Sequence, residues 1–278
     1  MDDKGASILR IIILLIVLNI LLPSDKRLHK KFLEETEDNE NKYESSIDEY
    51  DKSLEDYAIY LNSLNLNDIE VIMKIIDDEW KEYTYGDPDE FITGYCRLSL
   101  KKEKKGVCRE FADDFTAKIN AVNKEYNASN LVCYADSDEL DDNTKIVDID
   151  RNIDEDTLNT SLFTKMFSKL FTKMYGNHVV SIIHIPEKKY MLVVDPTNLL
   201  IGVVDDGEIY LFNDSNEKGI LTYKYPGNYI LCGDNYITQE EIDTDIEENI
   251  DSLSKLYGYD AQKTALESIK EKEKVYKK

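Results

Sequence analysis

The spacing of apolar positions divides this chain into helical and extended stretches. Leu61, Leu64, Leu66, Ile69, Ile72, Met73, Ile75, Ile76 and Trp80 recur at three and four, which predicts a helix starting at Asn67 or Asp68 and closed by the turn Gly86-Asp87-Pro88. A shorter helix is expected from Glu90 to about Leu100, followed by a lysine-rich link, Lys101 to Lys105. Beyond Gly106, the residues Cys108, Phe111, Ala112, Phe115, Ile119 and Val122 fall on one helical face, so a helix should begin at the cysteine and bury that stripe. After Asn130 the period drops to two. Leu131 to Ala135 and Lys145 to Ile149 read as short strands. Leu162, Phe163, Met166, Phe167, Leu170, Phe171 and Met174 form an amphipathic helix stopped by Gly176, a core or docking face by its spacing. His178 to Ile185 and Tyr190 to Asp195 flank Pro186-Glu187-Lys188-Lys189 and predict an antiparallel hairpin. Further strands are expected at Leu200 to Val204, Glu208 to Phe212 and Tyr229 to Cys232, then a helix opened by a Thr238/Glu241 capping box and a solvated helix from Gln262.

The strongest hydrophobic run is Ile11 to Leu22. It is short for a bilayer span, and Leu22-Pro23-Ser24-Asp25-Lys26 lacks the small-x-small pattern of a cleavage site, so an uncleaved N-terminal anchor is expected. Lys26, Arg27, Lys30 and Lys31 outnumber the basic residues before the run, which by the positive-inside rule would hold the following chain in the cytoplasm. A long domain behind a signal anchor is exported largely regardless of such charges, and the expectation adopted is an extracytoplasmic domain on a single-pass protein. The predicted organisation is an anchor at 1–24, a charged linker at 25–58, the main domain at 59–237 with an insertion at about 136–175, and a helical tail at 238–278.

Composition narrows the partners. Of 278 residues 33% are charged, and the formal net charge of -23 excludes a phosphate backbone as ligand, which requires clustered Lys and Arg. Cys96, Cys108, Cys133 and Cys232 form no CxxC pair and have no histidine at metal-ligand spacing, so no zinc site is expected, and the thiol chemistry considered below calls for neither a metal nor an organic cofactor. One disulfide, for example Cys96 with Cys133 or with Cys232, remains compatible with these positions.

The candidate chemistry begins at Cys108. Unpaired N–H groups and the positive end of a helix dipole favour thiolate over thiol at a helix start, although most free cysteines are simply small buried apolar residues. The hairpin supplies partners. With an even loop the pairing sum is odd, and His178 lies directly across from Asp195 or diagonally beside it on the same face. A carboxylate can there hold an imidazole in one tautomer while the other ring nitrogen meets a thiol. Taken alone, Asp195 before Pro196 reads as a turn cap, His178 as a half-buried strand histidine, His184 as solvated near the turn, and His29 carries no evident chemistry.

Gly106-Val107-Cys108-Arg109-Glu110-Phe111-Ala112, Asn177-His178-Val179-Val180 and Val194-Asp195-Pro196-Thr197 resemble the cysteine, histidine and aspartate boxes of the transglutaminase-like superfamily, in family order, over roughly Trp80 to Tyr210. The resemblance implies an α+β fold with a papain/transglutaminase-like core, in which the helix carrying the cysteine packs on an antiparallel sheet, here with an N-terminal membrane anchor and helical flanks. It implies Cys108 as nucleophile, His178 as general base and acid, and Asp195 as its orienting residue. The activity implied is acyl transfer or hydrolysis at amide carbonyls of a protein or peptide through a thioester, hydrolysis being placed ahead of crosslinking. Val179 stands where many members have an aromatic residue. For the oxyanion, the Cys108 backbone N–H is the default donor, with Trp80, Tyr83 or Tyr95 as a candidate second, Trp80 being first of all a core residue. The competing expectation is a catalytically silent, membrane-tethered binding or scaffold protein on the same fold.

Overall fold

The computed structural model describes residues 25–123, 125–135, 178–185, 188–205, 208–212, 220–224 and 250–277. The apolar run Ile11–Leu22, the strands expected at 145–149 and 229–232, the helix over 162–174 and the Thr238 capping box lie outside them. Among the described residues no helix is long and apolar enough to cross a membrane.

The chain falls into two compact units, Met1–Glu44 and Ser45–Lys278. Helix α1 (Asp25–Ser63) begins in the first. There it carries exposed i,i+4 pairs, Lys30–Glu34 at 3.5 Å and Lys31–Glu35 at 3.3 Å, which support helix by a few tenths of a kcal/mol each, about 0.2–0.5. In the second unit Tyr50, Ala58 and Leu61 enter the core. The core therefore starts earlier than the expected boundary at residue 59. A count of large aliphatic side chains misses this because tyrosines do the packing: Tyr50 is buried with its hydroxyl on Asp114, and the Tyr57 hydroxyl donates to Asp78 at 2.8 Å.

Helix α2 (Asp68–Glu82) is opened by Asn67 in a reciprocal capping box, its side chain accepting from the Glu70 N–H at 3.0 Å while Glu70 accepts from the Asn67 N–H at 2.8 Å. Val71, Ile72, Ile75, Ile76 and Trp80 are buried in the main core, where each stabilises the fold by roughly 1.5–3 kcal/mol on transfer from water. Strand β1 (Thr84–Tyr85) follows at once and pairs in parallel with β2 (Lys105–Gly106). Between them, the helix expected over Glu90–Leu100 is displaced to α3 (Cys96–Glu103). Gly94 at φ 82 and the Tyr95 N–H to Ile92 carbonyl turn interrupt any earlier helix, whereas the lysine link continues it until Lys104 caps it in the left-handed region.

Helix α4 (Cys108–Val122) starts at the cysteine. The Val107 N–H donates to Glu110 at 3.0 Å, which satisfies one of the free donors at the helix entrance. A side chain at Gly106 would meet Glu110 and Leu100 at 2.7 Å, so only glycine lets the chain enter here. Beyond the partly exposed Cys108 the expected stripe is buried, and Glu110, Asp113, Asp114 and Lys118 off that stripe also sit inside the protein.

Strands β3 (Asn127–Ala135), β4 (His178–His184), β5 (Met191–Asp195), β6 (Leu200–Asp205), β7 (Glu208–Leu211) and β8 (Ile220–Lys224) pair antiparallel in chain order. β8 returns to β3 through Tyr134↔Lys224 and Ala135↔Tyr223, closing the sheet into a barrel. Alternation sorts the strand residues. Leu131, Val180, Ile182, Val193 and Ile209 pack with one another, while Ile183, Leu192, Val194, Ile201 and Val203 face Phe111, Phe115 and the helices. The fold is thus α+β, with the cysteine-bearing helix packed on β3 and β4.

Helices α5 (Ile250–Tyr257) and α6 (Tyr259–Tyr276) complete the described chain. The segment from Gln262 is not a solvated tail. Ala265, Leu266 and Ile269 are buried against α2, and Lys272 and Glu273 of α6 pair with Glu70 at 2.6 Å and Lys74 at 3.0 Å. Its Glu, Lys and Ala content conceals a narrow apolar stripe of few residues. Cys96 is disulfide-bonded and Cys133 is free, which removes the Cys96–Cys133 alternative; Cys232 lies outside the described residues.

Candidate active site

Cys108 is the first residue of α4, so its backbone N–H has no intrahelical acceptor. Its side chain is free and partly exposed, and touches Ala112, Val132 and Val179 where the helix crosses β3 and β4. A polar cluster fixes this crossing. The Ser181 hydroxyl donates to the Ala112 carbonyl at 3.0 Å and lies 2.7 Å from the Thr116 hydroxyl, which donates to Asn130 at 2.6 Å. On the opposite side Asp113 accepts from the Arg97 N–H at 2.8 Å and from its guanidinium at 3.3 Å. The Ser181, Thr116, Asn130 and Asp113 side chains thus satisfy one another or the backbone, as burial demands.

His178 opens β4 and Asp195 ends β5, so the two stand at the same end of the hairpin. The register Ser181↔Val194 has an odd sum and sets Asp195 diagonally beside His178. The Nε2 of His178 lies 2.7 Å from Oδ2 of Asp195, with the carboxylate fully buried and the imidazole 8% exposed. The Cys108 side chain lies close enough to the same ring to raise its pKa. With Nε2 held by Asp195, Nδ1 is the nitrogen left to face the sulfur. Burial alone would lower the His178 pKa, but the Asp195 charge, its hydrogen bond and the Cys108 contact outweigh it, and the pKa is raised well above the ordinary histidine value. This favours an imidazolium at His178, held beside the sulfur.

Asp195 is itself held from the other side. Its Oδ1 accepts from the Thr197 N–H at 3.0 Å and the Asn198 N–H at 3.1 Å, and the Asn198 amide donates to Oδ2 at 2.9 Å. The same amide lies 3.4 Å from His178 Nε2. Asn198 was not singled out from the sequence, although Asp-Pro-Thr-Asn carries an Asx-turn signal that could have found it. Cys133 stands directly opposite His178 across β3 and β4. Burial, with the neighbouring Asp195 and Cys108 charges, keeps its thiol well above its usual pKa and thus protonated.

The upstream aromatics separate into different roles. The Trp80 N–H donates to the Pro196 carbonyl at 2.6 Å and its ring stacks on Phe111, so it braces the loop after Asp195 rather than presenting a free donor. Tyr83 is buried edge-on to Phe111. Tyr95 precedes α3, its ring 5.2 Å from the Arg97 guanidinium. Tyr85, which no sequence signal marks, lies near enough to the site to feel its charges; burial first, then Cys108 and Asp195, raises its pKa. Among the described residues no cluster of His, Cys, Asp and Glu is arranged to hold a metal ion. No protein-family model, curated protein or solved structure matches this chain.

Proposed function

We propose that the protein is a thiol-dependent acyl-transfer enzyme of transglutaminase-like type, acting at amide or peptide carbonyls. The observation that carries this reading is the single imidazole shared between Asp195, at 2.7 Å, and the sulfur of Cys108. The Cys108 thiolate adds to the carbonyl carbon. His178, protonated on the nitrogen facing the sulfur, gives its proton to the departing amine as the C–N bond breaks, leaving a thioester. His178 then takes a proton from the incoming water or amine, which displaces the sulfur and restores the thiolate. Asp195 stabilises the imidazolium and fixes its tautomer throughout. Water is the expected acceptor ahead of an amine, and the substrate class is protein or peptide. The run Ile11–Leu22 anchors the chain, and the disulfide-bonded Cys96 favours an oxidising, extracytoplasmic setting.

The test is the rate of iodoacetamide labelling of full-length protein against pH, with sites read by mass spectrometry. Fast labelling at Cys108 should persist down to about pH 6, well below the range where a free thiol with pKa about 8.5 ionises, and His178→Ala should slow it at least ~10-fold. Buried Cys133 is the internal control and should react slowly at every pH. Labelling of Cys108 that rises only towards pH 8.5, and is indifferent to His178→Ala, would leave the silent scaffold as the better reading.

A further inference from the structure

Acyl transfer needs a home for the negative oxygen of the tetrahedral intermediate, and one donor, the Cys108 N–H, is supplied by the helix start. The second has to come from an element beside that N–H. The two-residue strand β1 is that element. Tyr85 pairs with Gly106 in parallel register, and the Gly86 N–H donates to the Gly106 carbonyl at 2.8 Å, so the chain around Tyr85 is locked to the residues that lead into Cys108. The Tyr85 ring lies 6.4 Å from that of Phe111, one helical turn beyond Cys108. The residue is half-buried, and among the described residues its hydroxyl makes no hydrogen bond. A half-buried phenol at the edge of the nucleophile's surroundings keeps its hydroxyl available to a substrate group. The Trp80 N–H, a candidate donor from the sequence, is already given to the Pro196 carbonyl.

From this geometry we infer that the Tyr85 hydroxyl is the second oxyanion donor, acting with the Cys108 backbone N–H on the substrate's carbonyl oxygen. The inference rests on the acyl-transfer reading. Its raised pKa keeps the phenol protonated across the working pH range, as a donor requires. The hydroxyl gives a hydrogen bond that strengthens as charge develops and keeps its proton when the intermediate collapses.

Two probes of one thiol separate the inference from the reading beneath it. Iodoacetamide alkylates sulfur by displacing iodide, with no carbonyl oxyanion formed on the attacked carbon. p-Nitrophenyl acetate acylates it through a tetrahedral oxyanion, forming the C–S bond, breaking the C–O bond and releasing p-nitrophenolate, with water later freeing acetate. In full-length Tyr85→Phe, which keeps the ring and its packing, acetylation of Cys108 should fall at least ~10-fold while alkylation stays within about twofold of wild type. Less activated acyl donors should approach the ~10²–10³-fold that loss of an oxyanion donor costs. Three outcomes overturn the inference: equal acetylation in both proteins; an equal fall in both reactions, which would make Tyr85 a support for the thiol instead; or wild-type Cys108 that alkylates fast yet acetylates no faster than a free thiol. Slow, ordinary alkylation in wild type would instead bring down the acyl-transfer reading first and this inference with it.

Discussion

Two of the buried charge clusters among the described residues resolve their burial in opposite ways. In one, His178 stands between Asp195 and the partly exposed Cys108, with a phenol free beside it. In the other, Lys118 of α4 stands between Asp114 and Glu79, which lies 3.6 Å away on α2, and the Tyr50 hydroxyl closes on Asp114. Both shift pKa values strongly. Burial raises the Glu79 carboxyl well above the carboxylate range, Asp114 adding to the effect and Lys118 opposing it. A cleft even opens beside this second cluster, lined by Tyr57, Asp78, Lys101 and Lys118. Yet its charges are already matched: Tyr57 donates to Asp78 at 2.8 Å and Lys101 pairs with Glu82 at 3.2 Å. Shifted ionisation therefore marks both clusters and distinguishes neither. What separates them is a nucleophile with access to solvent.

The comparison breaks most sharply at Asp195. Asp195→Asn should leave the fold intact but free His178 to adopt the wrong tautomer, and acylation of Cys108 should fall by about 10²–10⁴-fold, as measured by p-nitrophenolate release. The raised His178 pKa should return towards the ordinary value, visible as movement of the imidazole resonance with pH. Lys118→Met tests the other cluster. It strands Asp114 as a buried anion, so stability by urea unfolding should drop by about 3–5 kcal/mol, while the alkylation rate of folded Cys108 should stay within about twofold. A large loss of reactivity there would mean that the two clusters are one machine.

The smallest effect is a slope. Because Glu79 keeps its proton in the folded protein at pH values where the unfolded chain has released it, the unfolded state binds fewer protons, and stability falls as pH rises above about 4.3 towards the raised native pKa. The slope expected is about 1.4 kcal/mol per pH unit over that window. Glu79→Gln cannot lose a proton and should flatten it. The raised His178 pKa works in the same direction over a higher window, its stabilisation present below about pH 6.5 and lost as pH rises through the native value. Urea midpoints from pH 5 to pH 9 in the wild type, Glu79→Gln and Asp195→Asn resolve both windows.

Local chemistry made part of this legible in the sequence. Asn67 as a cap, Cys108 at a helix start and the His178/Asp195 hairpin each depend on residues close in the chain, and each lies where its spacing puts it. Tyr85 was not legible, because a two-residue strand has no periodicity and gains its position only from Lys105 and Gly106 far along the chain. The helix moved from Glu90 to Cys96 because the positive φ at Gly94 outweighed a helical pattern. Asp113, Asp114 and Lys118 lie off the apolar stripe that the spacing predicts, and only tertiary packing over that face buries them. The helix from Tyr259 was masked by its charged composition, since Ala265, Leu266 and Ile269 suffice to dock it.

The hydroxyl of Ser181 on the Ala112 carbonyl has a consequence beyond adhesion. As a hydrogen bond it contributes about 1 kcal/mol, little beside the apolar burial around it. As a mechanical stop it does more. An apolar helix face on an apolar sheet can slide, since one leucine-sized bump replaces another at small cost, and each residue of slip would move the sulfur about 1.5 Å along the axis. A directional bond from the strand that carries His178 to the helix that carries Cys108 has no second register in which it is satisfied. The distance between base and nucleophile is thereby set by a residue that touches neither substrate nor sulfur.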